Sequence, residues 1–158
     1  MEGASLSALL PPEAIRIGAQ ATDWRAAVRA SGAALVASGA TTDAYTDEMI
    51  ATVEQLGPYI VIAPGIALAH SRPSPAVHRA GMSLVTLASP VEFGHRDNDP
   101  VRLVVGLAAP DDEGHVTGLA TLAEFLSDEA RRTALFDAPD AAAVRAMVTT
   151  YESERSDG

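Results

Sequence analysis

The chain has 158 residues, 47% hydrophobic and 20% charged with aromatics at 4%, which fits one soluble globular domain over residues 1–158 with alanine filling much of its core. A formal net charge of −10 disfavours nucleic acid and anionic membrane as partners, since both require a basic face. With no cysteine and all 11 basic residues arginine, the chain also lacks disulfides, thiolate nucleophiles, thiolate metal sites, a Schiff-base lysine and the lysine of a Walker A loop.

The opening stretch carries Glu2 and no early positive charge, and its apolar run LSALL is too short for a signal segment. No run of about 18 apolar residues is available to span a bilayer, so the expected location is the cytoplasm. After Pro11 and Pro12, EAIRIG alternates with period two and predicts a first strand. DWRAAVRASGAALVASG then predicts a helix capped by Thr22 or Asp23 and stopped at Gly39. A second helix follows in TDEMIATVEQLG, with Thr46 as its expected N-cap and Gly57-Pro58 ending it.

From Tyr59 the period changes. YIVIA, IALAH after the Pro64-Gly65 turn, MSLVTLA and VRLVVGLAA read as strands, and the near-continuous apolar run from Val101 to Ala109 demands cover on both faces. Three helical patterns follow, HVTGLATLAEFLS, DEARRTALFDA and DAAAVRAMVTTYESE, with the tail RSDG expected to fray. The expected fold class is therefore α/β, a three-layer α/β/α sandwich with a mixed, mostly parallel central sheet of about four to six strands.

Chemistry near neutral pH starts with the four histidines. His78 reads as a solvated loop residue, and His95 sits in FGHRDNDP, where turn chemistry accounts for the Gly, Asp and Asn around it. His70 closes an apolar strand and is followed by Ser71, Arg72 and Pro73, at the kind of strand end where α/β folds collect ligands. His115 stands after the acidic loop PDDEG at an expected helix start, where free N–H groups favour an anion. Either histidine alone has an ordinary structural reading, a hydrogen-bonded polar residue at the end of an element.

If the two converge, a neutral His70 imidazole can attack phosphorus, Arg72 can fork onto phosphoryl oxygens, and His115 can donate to the developing charge. Metal-assisted hydrolysis competes less well, since no third ligand stands at metal spacing.

VEQLGPYIVIAPGIALAHSRP followed by GMSLVTLASPVEFGHRDNDPVRLVVGLAAPDDEGH resembles the enzyme IIA domain of the bacterial sugar phosphotransferase system (PTS), in its mannitol/fructose-type superfamily. The wording EQLGPYIVIAPG and NDPV is nearest the ascorbate-type branch, and the similarity covers roughly Leu6 to Glu152. The resemblance implies a cytoplasmic α/β phosphocarrier that accepts a phosphoryl group from phospho-HPr on one histidine and passes it to a cysteine of a separate enzyme IIB. Sugar uptake would then proceed through a membrane enzyme IIC.

It matches the phosphorylated histidine with His70, a candidate tele-phosphohistidine whose reacting ring nitrogen the sequence leaves open, and the second active-centre histidine with His115. Ser71 and Arg72 become candidate phosphoryl-binding residues, and no metal or organic cofactor is implied. Two departures stand out. Ala69 occupies the position where the family has proline, and TVEQLG carries Glu54 with no counterpart of the arginine used in the mannitol-type branch.

A shallow apolar ring of Ile66, Leu68 and Pro73 is the expected partner surface, and Asp111, Asp112 and Glu113 would attract a basic partner. The alanine-rich helices are compatible with a homodimer. The alternative function is a regulatory interaction protein whose binding depends on His70 phosphorylation and which feeds no transporter.

Overall fold

β-branched and leucine-rich runs form the centre of the molecule, and small-residue helices cover it. In the computed structural model, which describes residues 5–157 and side chains through residue 154, five strands make one sheet in the order β1-β4-β5-β3-β2. They are β1 (Ile15–Ala19), β2 (Val61–Ala63), β3 (Ile66–His70), β4 (Gly81–Val91) and β5 (Val101–Ala108). The sheet is mixed: β1/β4 and β3/β5 pair parallel, β4/β5 and β2/β3 antiparallel.

The helices are α1 (Leu6–Leu9), α2 (Trp24–Ala37), α3 (Asp43–Leu56), α4 (Asp112–Phe125), α5 (Glu129–Phe136) and α6 (Ala141–Asp157). They cover both faces of the sheet. Along β5 the side chains alternate: Leu103, Val105 and Leu107 join the core formed with α1, α4, α5 and α6, while Val104 and Ala108 join the core formed with α2 and α3. This is why the run from Val101 to Ala109 is apolar almost throughout.

Small residues let α2 lie close on the sheet. Ser83 Oγ donates to the Ser31 carbonyl at 3.0 Å, the two hydroxyls are 3.1 Å apart, and a Cβ at Gly106 would fall 2.3 Å from Ser83 Oγ. The α2 N-cap is Asp23, whose carboxylate accepts from the Ala26 N–H at 2.9 Å.

Helix α3 begins a turn earlier than TDEMIATVEQLG suggests. Its N-cap position is Thr42, and Thr46 is a buried interior residue beside Gly32, where a Cβ would come within 2.1 Å of the Thr46 hydroxyl oxygen. The expected strand YIVIA begins with a 3-10 turn at Pro58–Ile60, leaving β2 only three residues. The backbone of α6 stays helical through Asp157 instead of fraying at Arg155. Residues 1–4, with Glu2, and Gly158 lie outside the described residues.

Candidate functional site

Strand β3 enters through the Pro64-Gly65 turn, where Gly65 adopts φ +78° and its carbonyl accepts from the N–H groups of Arg102 and Leu103 at 2.8 and 3.0 Å. The strand then pairs with β5 residue by residue from Ile66↔Leu103 to His70↔Leu107. Alternation sends Ile66 and Leu68 into the core shared with α4, α5 and α6, and His70 has the same parity. Ala69, buried and paired with Gly106, keeps β3 regular up to His70.

His70 is half-buried, and its Nδ1 lies 3.0 Å from the Leu68 carbonyl. A carbonyl only accepts, so Nδ1 is the donor, and the neutral ring keeps its lone pair on Nε2. The chain's own backbone thus selects the tautomer.

Helix α4 brings the second histidine. Asp111 caps it by accepting from the Gly114 N–H at 2.7 Å, and His115 lies in the first turn. The two imidazole rings stand with centroids 5.5 Å apart and planes at 50°. Burial, and then the charge of the neighbouring His70, hold the His115 pKa below its ordinary 6.5, while Asp112 opposes them. His115 therefore favours the neutral form, and its Nδ1 is buried with no hydrogen-bond partner among the described residues.

Both histidines open onto a depression of about 900 Å³ between α3, the His70–Ser74 segment and the start of α4. Arg72 lines it, is exposed, and has no hydrogen bond or ion pair among the described residues. Ser71 lines it too, with its Oγ 3.0 Å from Thr52 Oγ1. Because Thr52 already donates to the Glu48 carbonyl at 2.9 Å, the Ser71 O–H points to Thr52 and must rotate to meet an incoming anion. Glu48, whose carboxylate accepts from Ser74 Oγ at 2.7 Å, and Asp112 give the rim its negative charge. Among the described residues no group of three His, Asp or Glu side chains is arranged to hold a metal ion.

All four sequence-predicted site residues, His70, Ser71, Arg72 and His115, come together here. His78 is exposed and stands apart, on the chain segment that hydrogen-bonds to Ala40. His95 belongs to a self-contained turn: its Nδ1 accepts from the N–H groups of Asp97 and Asn98, and Asp99 Oδ2 accepts from three backbone N–H groups between Phe93 and His95.

The expected apolar ring needs correction at Ile66 and Leu68, which are 0% and 5% exposed in the core shared with α4, α5 and α6, while Pro73 does line the depression. Further apolar side chains offered to a partner near the site are Leu56, 59% exposed at the end of α3, and Val116, 65% exposed beside His115. Glu54 pairs with Arg25 at 2.7 Å, and neither lines the depression. Sequence reading missed Tyr45 and Thr52 on α3, which contact Ser71 through hydroxyls that apolar periodicity does not reveal.

Among the described residues no helix is long and apolar enough to cross a membrane. Residues 8–151 match the family model described as phosphoenolpyruvate-dependent sugar phosphotransferase system, EIIA 2. The ascorbate-specific PTS system EIIA component of Salmonella typhimurium (strain LT2) is 43% identical over 117 residues, covering 73% of this chain and 76% of that one. The mannitol-specific cryptic phosphotransferase enzyme IIA of Escherichia coli superposes with a TM-score of 0.83 at 28% identity, over 93% of this chain and 99% of that one. The complex of enzyme IIA and phosphorylated enzyme IIB for mannitol from Escherichia coli matches with a TM-score of 0.78 at 26% identity, over 90% of this chain and 99% of that one.

Proposed function

The chain belongs to the EIIA 2 family of the phosphoenolpyruvate-dependent sugar phosphotransferase system, and on that footing we propose that His70 takes a phosphoryl group from phospho-HPr and passes it to a cysteine of an enzyme IIB. The observation that carries this reading is the hydrogen bond from His70 Nδ1 to the Leu68 carbonyl, which leaves Nε2 as the nucleophile at the rim of the depression.

In the first step the Nε2 lone pair attacks phosphorus, the Nε2–P bond forms, and the bond from phosphorus to HPr breaks with its electron pair leaving on HPr. The His70 ring, now substituted at Nε2 and still carrying its Nδ1 proton, becomes cationic. The Leu68 carbonyl is already placed to accept from that N–H. In the second step a thiolate of enzyme IIB attacks the same phosphorus, and the Nε2–P electron pair returns to a neutral His70.

Both steps ask chiefly for positioning and charge stabilisation. Arg72 supplies a guanidinium with no partner among the described residues, Ser71 a hydroxyl, His115 a ring N–H, and the first turn of α4 a favourable field for the anion. The lowered pKa of His115 supports its role as a neutral donor that adds no repulsion to the cationic His70 ring.

Leu56 and Val116 provide an apolar rim, and Glu48 and Asp112 an acidic one, for partners with matching basic surfaces. The ascorbate-specific relatives favour ascorbate as the coupled sugar over a pentitol or another sugar acid, with transport through a membrane enzyme IIC from the cytoplasmic side.

Incubation with enzyme I, HPr and phosphoenolpyruvate is expected to label the protein with acid-labile phosphate, and His70→Ala to abolish the label. An unlabelled wild-type protein beside a competent control carrier would refute the assignment. Transfer from the labelled protein to a cognate enzyme IIB separates transport from a purely regulatory role.

A further inference from the structure

The Tyr45 hydroxyl meets three backbone groups at the end of β3. It accepts from the Ser71 N–H at 2.9 Å and shares its one proton between the carbonyls of Leu107, at 2.8 Å, and Ser71, at 3.1 Å. Ser71 follows His70 directly, and Leu107 is the partner of His70 across the parallel β3/β5 register. One side chain thus grips the residue after the histidine and the residue opposite it.

The β3/β5 register ends at His70↔Leu107, so beyond that pair the Tyr45 hydroxyl stands where a strand neighbour would otherwise satisfy these groups. The tyrosine is wholly buried, and seven residues along the same face of α3 Thr52 meets the Ser71 hydroxyl at 3.0 Å. Ser71 is therefore held by helix α3 at its N–H, its carbonyl and its side chain.

Resting on the assignment of His70 as the phosphoryl carrier, we infer that Tyr45 is a positioning residue whose hydroxyl fixes the end of β3 so that the His70 ring stays with Nδ1 on the Leu68 carbonyl and Nε2 outward. Burial pushes the Tyr45 phenol up to about 12, so the hydroxyl keeps the proton this grip uses throughout the working pH range.

The substitution Tyr45→Phe removes the hydroxyl and keeps the ring. Long-range proton–nitrogen spectra of histidine-labelled protein are expected to show a single Nδ1–H tautomer for His70 in the wild type and an averaged pair of tautomers in the variant. The maximal rate of transfer from phospho-HPr should fall about tenfold or more, with KM for phospho-HPr changed by less than about twofold. A loss of stability alone would lower the unfolding midpoint and leave the tautomer untouched, so an unchanged His70 tautomer in a folded variant overturns the inference.

Should Tyr45→Phe fail to fold, hydrogen exchange on the wild type decides. The Ser71 amide should be protected like the amides of β5, and exchange at the rate of an open loop overturns the grip. A wild type that accepts no phosphoryl group defeats the carrier assignment, while the tautomer readout still judges Tyr45.

Discussion

Replacing His115 by alanine tests how the second histidine works. Its ring stands 5.5 Å from that of His70, centroid to centroid, close enough to donate to a phosphoryl group bound on Nε2. A hydrogen bond to a charged group contributes about 1.5–3 kcal/mol, and each 1.36 kcal/mol of barrier is tenfold in rate, so the variant should slow transfer about 10- to 150-fold. His115→Gln, which keeps a donor of similar reach, should recover part of that loss. Rapid-quench measurement of phosphoryl transfer from labelled phospho-HPr reads the effect directly. Labelling should still run to completion on His70, because the nucleophile and its Leu68 contact are untouched. A His115→Ala rate within twofold of wild type would refute the role.

The lowered His115 pKa has a signed consequence for stability. Between that value and 6.5 the unfolded chain binds more protons, so this stability contribution is complete above pH 6.5 and falls as the pH drops through the window. Urea midpoints measured across it should show the decline in wild type and its removal in His115→Gln; identical slopes would contradict the account. Gly106→Ala should destabilise by about 1–3 kcal/mol in urea unfolding, because its Cβ would push apart the Ser31 and Ser83 hydroxyls, and an unchanged midpoint would refute that packing. Arg72→Ala should leave stability within about 0.5 kcal/mol, since the side chain is exposed and unpaired among the described residues, yet slow phosphoryl acceptance several-fold. Unchanged transfer by that variant would remove Arg72 from the phosphoryl-binding group.

Much of the architecture was legible because burial on both faces leaves a plain signature. The runs IALAH and VRLVVGLAA form β3 and β5, and Asp23, one of the two caps the sequence offers, and Gly57 mark real helix ends. The start of α3 is hidden from the sequence because Thr46 has the chemistry of an N-cap, whereas its surroundings, with Gly32 of α2 pressed against it, make it interior. That contact is tertiary and has no local signal.

The same limit applies at the site. His70 and His115 stand out by residue type at the ends of elements, but their approach to 5.5 Å depends on α4, which packs on β5, bringing its first turn to the end of β3. Ile66 and Leu68 lead to His70 and so suggest a partner rim, yet β3 is flanked by β2 and β5 and its Ile66 and Leu68 face the core shared with α4, α5 and α6, so both are interior. Tyr45 and Thr52 carry no local signal because their hydroxyls act on Ser71, 26 and 19 residues away.

The most direct test of the account is the site of the phosphorus–nitrogen bond. After phosphorylation of protein labelled with nitrogen-15 in its histidines, phosphorus coupling is expected at Nε2 of His70, the nitrogen left free by the Leu68 contact. Coupling at Nδ1 of His70, or at any other histidine, would contradict it.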